Sequence, residues 1–86
     1  MISVRFFAKY REQLGISTFT VAVNEIDPGK STVATLKAVL AAKGDVWREI
    51  LYAENTLCAV NQDLAGDNDV VASGDEVAFY PPVTGG

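Results

Sequence analysis

Short stretches in which apolar and polar residues alternate are the feature that most constrains the fold of this chain. In residues 2–10, ISVRFFAKY, apolar side chains recur at every second position, and Phe7 is the exception on the polar side. A period of two predicts a β-strand with one buried face. A turn or a short helical piece is expected over 11–16. Alternation and β-branched content predict further strands at 17–23, 57–61 and 76–80, with a brief strand near Leu64.

Helical spacing separates the first two strands from the later ones. Residues 31–43 carry an apolar stripe at spacings of three and four, after a capping Ser31 or Thr32. Gly44 is predicted to end this helix, and Asp45 to cap a shorter helix after it. The order of elements predicts an α+β roll, a mixed sheet packed on one main helix. The last strand is expected beside the first and parallel to it, because a crossover helix returns a later strand in the same direction.

The chain is short and lacks the residues on which most catalysis depends. Its 86 residues are expected to form a single domain, 1–86, with little room for a buried catalytic cleft. There is no histidine, which removes Ser–His–Asp and Cys–His pairs and the commonest transition-metal ligand, and no metal site is predicted. The single cysteine, Cys58, cannot form an internal disulfide and is expected to be a small buried core residue.

Charge and hydropathy indicate where the protein is located and which kind of partner it binds. No apolar stretch reaches the length of a membrane span, and the start MISVRFFAKY lacks the features of a signal peptide, so we expect a cytoplasmic protein. The net charge is −4 and the seven basic residues form no run, which disfavours nucleic-acid binding. An acidic surface favours a basic protein partner, because opposite fields speed encounter.

Two motif fragments receive structural interpretations. DPGKST at 27–32 contains part of a phosphate-binding loop, but Asn24 stands where the loop needs glycine and Pro28 has no N–H for a phosphate cradle. A turn before a helix is therefore favoured. GDNDVVASGDE at 66–76 places Val71 where a calcium loop needs an oxygen ligand, so a solvated loop is favoured there.

Two features towards the ends of the chain indicate partner binding. Phe7 and Tyr80 each point away from the main apolar set of their strands, and they lie side by side if those strands are neighbours. An exposed aromatic patch on a small domain commonly marks a partner site. The tail 81–86, PPVTGG, starts with two prolines that end the strand and extend the chain, and Gly85 and Gly86 fit a channel too narrow for side chains. The Gly86 carboxylate is either inert or a substrate for activation.

Three segments of the chain carry a family resemblance: VRFFAKYRE near the start, AVNQDL in the middle and DEVAFYPPVTGG at the end. They resemble the small subunits of molybdopterin synthase, and the resemblance covers the whole chain. Its most specific part is the block 74–86. A Gly-Gly ending is shared with ubiquitin-like modifiers and the thiamin-pathway sulfur carrier, whereas Phe/Tyr-Pro-Pro-Val points to the molybdenum-cofactor branch. The resemblance implies a ubiquitin-like β-grasp fold and a role as a sulfur carrier.

The resemblance also implies the chemistry of the tail. An adenylyltransferase of the ubiquitin-activating type uses ATP to convert the Gly86 carboxylate to an acyl adenylate, and a sulfur donor turns that into a thiocarboxylate. The tail then enters the large subunit of the synthase, where sulfur passes to precursor Z to build the dithiolene of molybdopterin. Two carriers serve each precursor, in a heterotetramer with two large subunits at its centre. The chain alone is then not an enzyme and binds no cofactor, since the catalytic residues lie on the large subunit.

By position, the resemblance assigns residues to the contacts with partners. Those that thread into a partner are Val83, Thr84 and Gly85, and those that dock are Phe7, Leu64, Tyr80, Pro81 and, through an ion pair, Arg11. The family more often has phenylalanine where this chain has Tyr80, and a phenol keeps the ring while adding a polar tip. Three alternatives remain: a protein modifier that forms isopeptide bonds through Gly86, a thiamin-pathway sulfur carrier, and an interaction domain with an inert tail.

Overall fold

The structure is a computed structural model that describes residues 1–22 and 31–82. In chain order the elements are β1 (Ile2–Phe6), α1 (Lys9–Leu14), β2 (Thr18–Val21), α2 (Val33–Ala41), α3 (Asp45–Tyr52), β3 (Leu57–Val60), β4 (Asp63–Ala65) and β5 (Glu76–Tyr80). The strands form one sheet in the order β2-β1-β5-β3-β4. The central pair β1 and β5 is parallel and the other neighbours are antiparallel. The predicted α+β fold, with the last strand beside the first, is confirmed.

The core lies between one face of this sheet and the helices. The alternating positions of β1 and β5 that were predicted to face inward are buried, and so is the apolar stripe of α2. At the centre, the ring of Phe6 stacks on Phe79 at 5.9 Å between centroids and meets Trp47 of α3 edge-on at 5.5 Å. Edge-to-face and offset stacking are the arrangements that aromatic rings prefer. The helices therefore cover one face of the sheet, and the other face remains open.

The first strand is shorter than its alternation predicts, because a tight turn follows Phe7. The N–H of Tyr10 donates to the carbonyl of Phe7 at 3.2 Å, and Ala8 between them has φ 54° and ψ −132°. This is the backbone of a type II′ turn, in which the first central position usually holds glycine. Helix α1 starts at Lys9, directly after the turn, and the Tyr10 hydroxyl lies 2.7 Å from Thr56 Oγ1. The prediction that the strand reaches residue 10 was therefore wrong: β1 ends at Phe6, and Tyr10 is a buried residue of α1.

The predicted cap of the main helix is confirmed, whereas its predicted end is not. Thr32 caps α2: its Oγ1 accepts from the Thr35 N–H at 3.3 Å, and its own N–H donates to Thr35 Oγ1 at 2.8 Å. The C-cap is Ala42, which still has helical φ and ψ, so Gly44 does not end this helix. Gly44 is instead the N-cap of α3, and Asp45, predicted to be that cap, is the first helical residue.

Within the described ranges, none of the helices has both the length and the apolar composition that a bilayer crossing requires. The Pro-Gly turn predicted over 24–30 lies outside the described residues, as does most of DPGKST. The 66–71 loop is held against the start of α2: the N–H groups of Val33 and Ala34 donate to backbone carbonyls of Asp69 and Asp67, both at 3.0 Å. An ion pair between Lys37 and Asp67 at 2.8 Å adds to these bonds. The acidic residues of the loop therefore hold it against α2.

Candidate functional site

The open sheet face, opposite the helices, presents its side chains in rows set by the strand register. One row runs Arg5, Ala78, Ala59 and Leu64 across β1, β5, β3 and β4. In the adjacent row, nearer the end of β5, Leu57 lies opposite Tyr80. The first of these rows crosses four neighbouring strands, so it is about 14 Å long at a strand spacing of about 4.8 Å.

Phe7 joins the Tyr80 row from the other side. Its N–H donates to the carbonyl of Phe79 at 3.3 Å, which extends the parallel ladder by one residue, and the register Phe6↔Phe79 continued by one step places Phe7 opposite Tyr80. The Phe7 ring lies 5.8 Å from the guanidinium carbon of Arg5, a residue of the open face. Phe7 is 40% exposed, while Phe6 is buried. The prediction that Phe7 and Tyr80 lie side by side on the open face is therefore confirmed.

Leu64 reaches the same face through a two-residue hairpin. Val60 pairs with Asp63, and the connecting Asn61 and Gln62 both have positive φ, 51° and 74°. A type I′ turn needs positive φ at both central residues, and it favours asparagine at the first. This turn fixes the register, so that Leu64 lies opposite Ala59 and is 72% exposed.

The apolar residues of the open face form one continuous set, which we call the docking patch: Phe7, Leu57, Ala59, Leu64, Ala78 and Tyr80. Three of these, Leu57, Ala59 and Ala78, were not singled out from the sequence. Ala59 is almost fully buried, although it does not belong to the main core cluster, and it lies in the middle of its row, between Ala78 and Leu64. Its strand LCAV is apolar on both faces, so alternation alone gave no signal.

The remaining predicted site residues are not part of the docking patch. Pro81 is half-buried and directly follows Tyr80, so the tail leaves the sheet beside the docking patch. Arg11 lies exposed in the last turn of α1, off the sheet. Val83, Thr84, Gly85 and Gly86 lie outside the described residues, so their assignment stays a prediction. That the docking patch binds a partner likewise stays a prediction.

The Asp75 side chain and the Glu76 backbone N–H, at the start of β5, support the hairpin through Asn61. The Asn61 amide donates to Asp75 Oδ1 at 3.0 Å, and its carbonyl oxygen accepts from the Glu76 N–H at 3.0 Å. The Ala72 N–H donates to the other Asp75 oxygen at 2.8 Å. The Asn61 hydrogen bond, with a smaller contribution from that backbone N–H, lowers the pKa of Asp75. Asn61 therefore links the β3–β4 turn to the start of β5.

Cys58 has the environment of a structural residue. It is buried on the core side of β3, opposite Phe79. Burial raises the pKa of its thiol from 9.0 to about 11, and the nearby charge of Lys37 offsets only part of that shift. The thiolate is the form of cysteine that reacts, so this thiol is held unreactive. Over residues 1–22 and 31–82, no three His, Cys, Asp or Glu side chains come together as a metal site would require.

Known proteins resemble the chain along its whole length. Residues 4–86 match the ThiS family. The molybdopterin synthase sulfur carrier subunit of Escherichia coli (strain K12) is 43% identical over 86 residues, which is 100% of both chains. The crystal structure of SAMP1 from Haloferax volcanii has a TM-score of 0.81 and 25% identity, with 99% of this chain and 98% of that chain covered.

A further solved structure holds a relative together with a second protein. It is the complex of subunits 1 and 2 of molybdopterin-converting factor from Helicobacter pylori 26695, with a TM-score of 0.67 and 26% identity over 99% of this chain and 97% of that chain. The ubiquitin-like β-grasp fold that the sequence resemblance implied is confirmed by these neighbours. The family match over residues 4–86 and a relative that is 43% identical from end to end assign the chain to the ThiS family, among the molybdopterin synthase sulfur carrier subunits.

Proposed function

We propose that this chain carries sulfur as a thiocarboxylate on Gly86 and delivers it to precursor Z inside a molybdopterin synthase, where the dithiolene of molybdopterin is built. The observation that carries the proposal is the position of the docking patch. It ends at Tyr80, directly before Pro81, from which residue the tail runs to Gly86. A partner that covers the patch is therefore in reach of the tail. The end-to-end similarity to sulfur carrier subunits supports the same role.

Activation of the Gly86 carboxylate needs a second protein. A carboxylate has no good leaving group, so a nucleophile cannot displace its oxygen directly. In the proposed sequence, an adenylyltransferase of the ubiquitin-activating type joins the carboxylate to AMP from ATP and releases pyrophosphate. Sulfur at the oxidation level of sulfide, provided by a sulfur donor, then attacks the carbonyl; the C–S bond forms as the C–O bond to AMP breaks, so AMP leaves and the thiocarboxylate remains. The chain itself binds no cofactor in this scheme, and ATP is held by the activating enzyme.

The thiol of Cys58 takes no part in the proposed transfer. A sulfur-carrying cysteine needs to be accessible and partly ionised, and Cys58 is neither, since it is buried and its pKa is raised to about 11. Gly86 requires no activation within its own domain, because the adenylate supplies the leaving group. This division fits a chain whose small core offers few catalytic groups.

The docking patch is the surface we assign to the large subunit. Aromatic and aliphatic side chains at the centre of an interface contribute most of its binding free energy. Phe7, Tyr80 and Leu64 provide such side chains, and Arg11 on α1 adds an ion pair at the rim. The large subunit then supplies the catalytic residues, and two carriers act on each precursor in a cytoplasmic heterotetramer.

Intact mass spectrometry tests the proposal. The chain is incubated with ATP, a molybdopterin-synthase adenylyltransferase and a sulfur source, and we expect the mass gain of one oxygen replaced by sulfur, located on Gly86 by fragmentation. A variant without Gly86 is the matched control and is expected to gain nothing. An unchanged mass, under conditions that charge the Escherichia coli carrier, would refute the proposal.

A second candidate function is the modification of other proteins through Gly86. The similarity to SAMP1, which a further structure of Haloferax volcanii describes as small archaeal modifier protein 1, favours it. Western blots of cells that produce a tagged chain would show conjugates of higher mass, which depend on Gly86, if this role holds.

A thiamin-pathway carrier is the other alternative, and it differs by its sulfur acceptor. Loss of molybdoenzyme activity in a deletion strain, with thiamin synthesis intact, distinguishes the molybdenum-cofactor role from that one.

A further inference from the structure

Arg5 is a charged residue at the edge of the docking patch. It lies on the open sheet face with Ala78 opposite it on β5, and its guanidinium carbon is 5.8 Å from the ring centre of Phe7. Among the strand residues described on this face, the charged ones are Arg5 and Glu76. A partner that covers both Phe7 and Ala78 therefore also covers the guanidinium of Arg5.

The guanidinium is only partly paired within the chain. Its Nη1 lies 3.5 Å from Oε2 of Glu76, and the two side chains remain 47% and 41% exposed. A guanidinium has five N–H donors, so one contact at this distance leaves donors that face water in the free protein. Docking removes that water. A guanidinium covered without a further acceptor would oppose binding strongly, because an uncompensated buried charge is unfavourable.

The surroundings of Arg5 favour a carboxylate as this acceptor. Ala78, opposite Arg5 on β5, has a small side chain, so a partner can approach the sheet closely beside Arg5. Arginine is enriched in interfaces, and its planar fork matches the two oxygens of a carboxylate, whereas glutamate is depleted there. Glu76 lies one row farther from Phe7 and Tyr80, opposite Ser3. Arg5 is thus the charge nearer the centre of the patch.

We propose that Arg5 is a specificity-determining residue for docking, and that the large subunit presents a carboxylate to its guanidinium from within an otherwise apolar contact surface. This inference rests on the proposed function, since it concerns the partner proposed there. A wrong partner that offers only apolar groups leaves the guanidinium unsatisfied, so the same residue that strengthens the correct complex weakens incorrect ones.

Contact chemistry and the overall charge act at different distances. The net charge of −4 favours a partner with a positive field during approach, over separations up to the Debye length of about 10 Å. The Arg5 pair acts after contact, and it fixes the orientation of the two surfaces. A large subunit that is basic overall, with one acidic side chain in its docking surface, satisfies both requirements.

The test measures binding of a molybdopterin synthase large subunit to purified variants of the whole chain by titration calorimetry. Arg5→Met removes the charge and retains an apolar stem, and Arg48→Met, at an exposed position of α3, changes the net charge equally on the helical side of the protein. The double variant Arg5→Met/Glu76→Gln separates two explanations, because it also removes the carboxylate that Arg5 neutralises within the chain. Thermal unfolding checks that each variant folds, as expected for an exposed ion pair.

We expect Arg5→Met to weaken binding at least about tenfold and Arg48→Met to change it less than about twofold. The double variant should stay weak, because the carboxylate of the partner has lost its cation. Wild-type affinity in the double variant would mean that Arg5 only neutralises Glu76, and would overturn the inference. Wild-type affinity in Arg5→Met would overturn it too while the proposed function stands. Failure of the wild-type chain itself to bind would refute both.

Discussion

Leu64 offers the sharpest test of the docking patch, because Val70 provides a control of the same exposure. Both side chains are 72% exposed. Leu64 lies on the open sheet face, opposite Ala59, whereas Val70 forms a bridge with Thr32 at the start of α2, on the side of the helices. Truncation of either residue to alanine removes exposed apolar surface. The pair therefore isolates the effect of position.

The expected loss of binding follows from the exposed fraction of Leu64. Complete burial of a leucine side chain contributes about 1.5–3 kcal/mol, and the exposed 72% corresponds to about 1–2 kcal/mol if a partner covers it. Leu64→Ala should therefore weaken binding to the large subunit by about 5- to 30-fold. Its free energy of unfolding should change by less than about 0.5–1 kcal/mol, because little of the side chain is buried within the domain.

Titration calorimetry gives the dissociation constants, and thermal unfolding followed through Trp47 gives the stabilities. Val70→Ala should bind like the wild-type chain. Equal weakening by the two variants would indicate a general effect of surface hydrophobicity, and unchanged binding of Leu64→Ala would show that the open sheet face at β4 is not covered by the large subunit. Either result would refute the assignment of this patch.

Three further predictions concern single residues. Ala8→Gly should stabilise the domain by about 1 kcal/mol in denaturant unfolding, because relief of a strained positive φ, worth about 2 kcal/mol, exceeds the entropy lost with glycine, about 1 kcal/mol. Cys58 should react with a thiol reagent near pH 8 at least about a hundredfold more slowly in the folded than in the unfolded chain, because burial both raises its pKa from 9.0 to about 11 and shields the sulfur from the reagent. Asn61→Ala should raise the pKa of Asp75 in an NMR titration, because it removes the main hydrogen bond that lowers it. The lowered folded-state pKa of Asp75 stabilises the domain above the unfolded-state value, so that contribution should be lost as the pH falls through the folded-state pKa, and the variant should lose less.

For each of these three predictions, a specific result would contradict the structural reason given for it. A destabilised Ala8→Gly variant would contradict the type II′ turn, and rapid labelling of Cys58 in the native protein would contradict its burial. An unchanged pKa of Asp75 in Asn61→Ala would mean that the Ala72 N–H and the local backbone maintain the shift without the amide.

Alternation predicted the strands well where one face is apolar and the other polar. Val4 and Arg5 show this contrast, and the direction of Phe7 follows from it. The same pattern continued through residue 10 and concealed the turn after Phe7, because Ala8 occupies a position where glycine would have given the signal. Local pattern therefore predicted which side chains share a face, but not where the strand ends.

The composition of the docking patch depended on information that alternation does not contain. Leu57 and Ala59 belong to the continuous apolar run 57–60, so their facing is defined only by the pairing of β3 with β5. Ala78 is small enough to suit either face. The sequence could identify Phe7 and Tyr80, whose aromatic rings interrupt polar or small positions, whereas Leu57, Ala59 and Ala78 required the register of the sheet.

The central position of β5 has a mechanical consequence for the proposed insertion of the tail into another protein. β5 is bonded on one side to β1, in parallel, and on the other to β3, antiparallel, and the tail continues directly from its end. Backbone hydrogen bonds run across the strands, so a pull along the tail loads both ladders in shear, and the bonds resist together rather than one after another. A force on the tail would therefore be shared between β1 and β3, the two strands that flank β5.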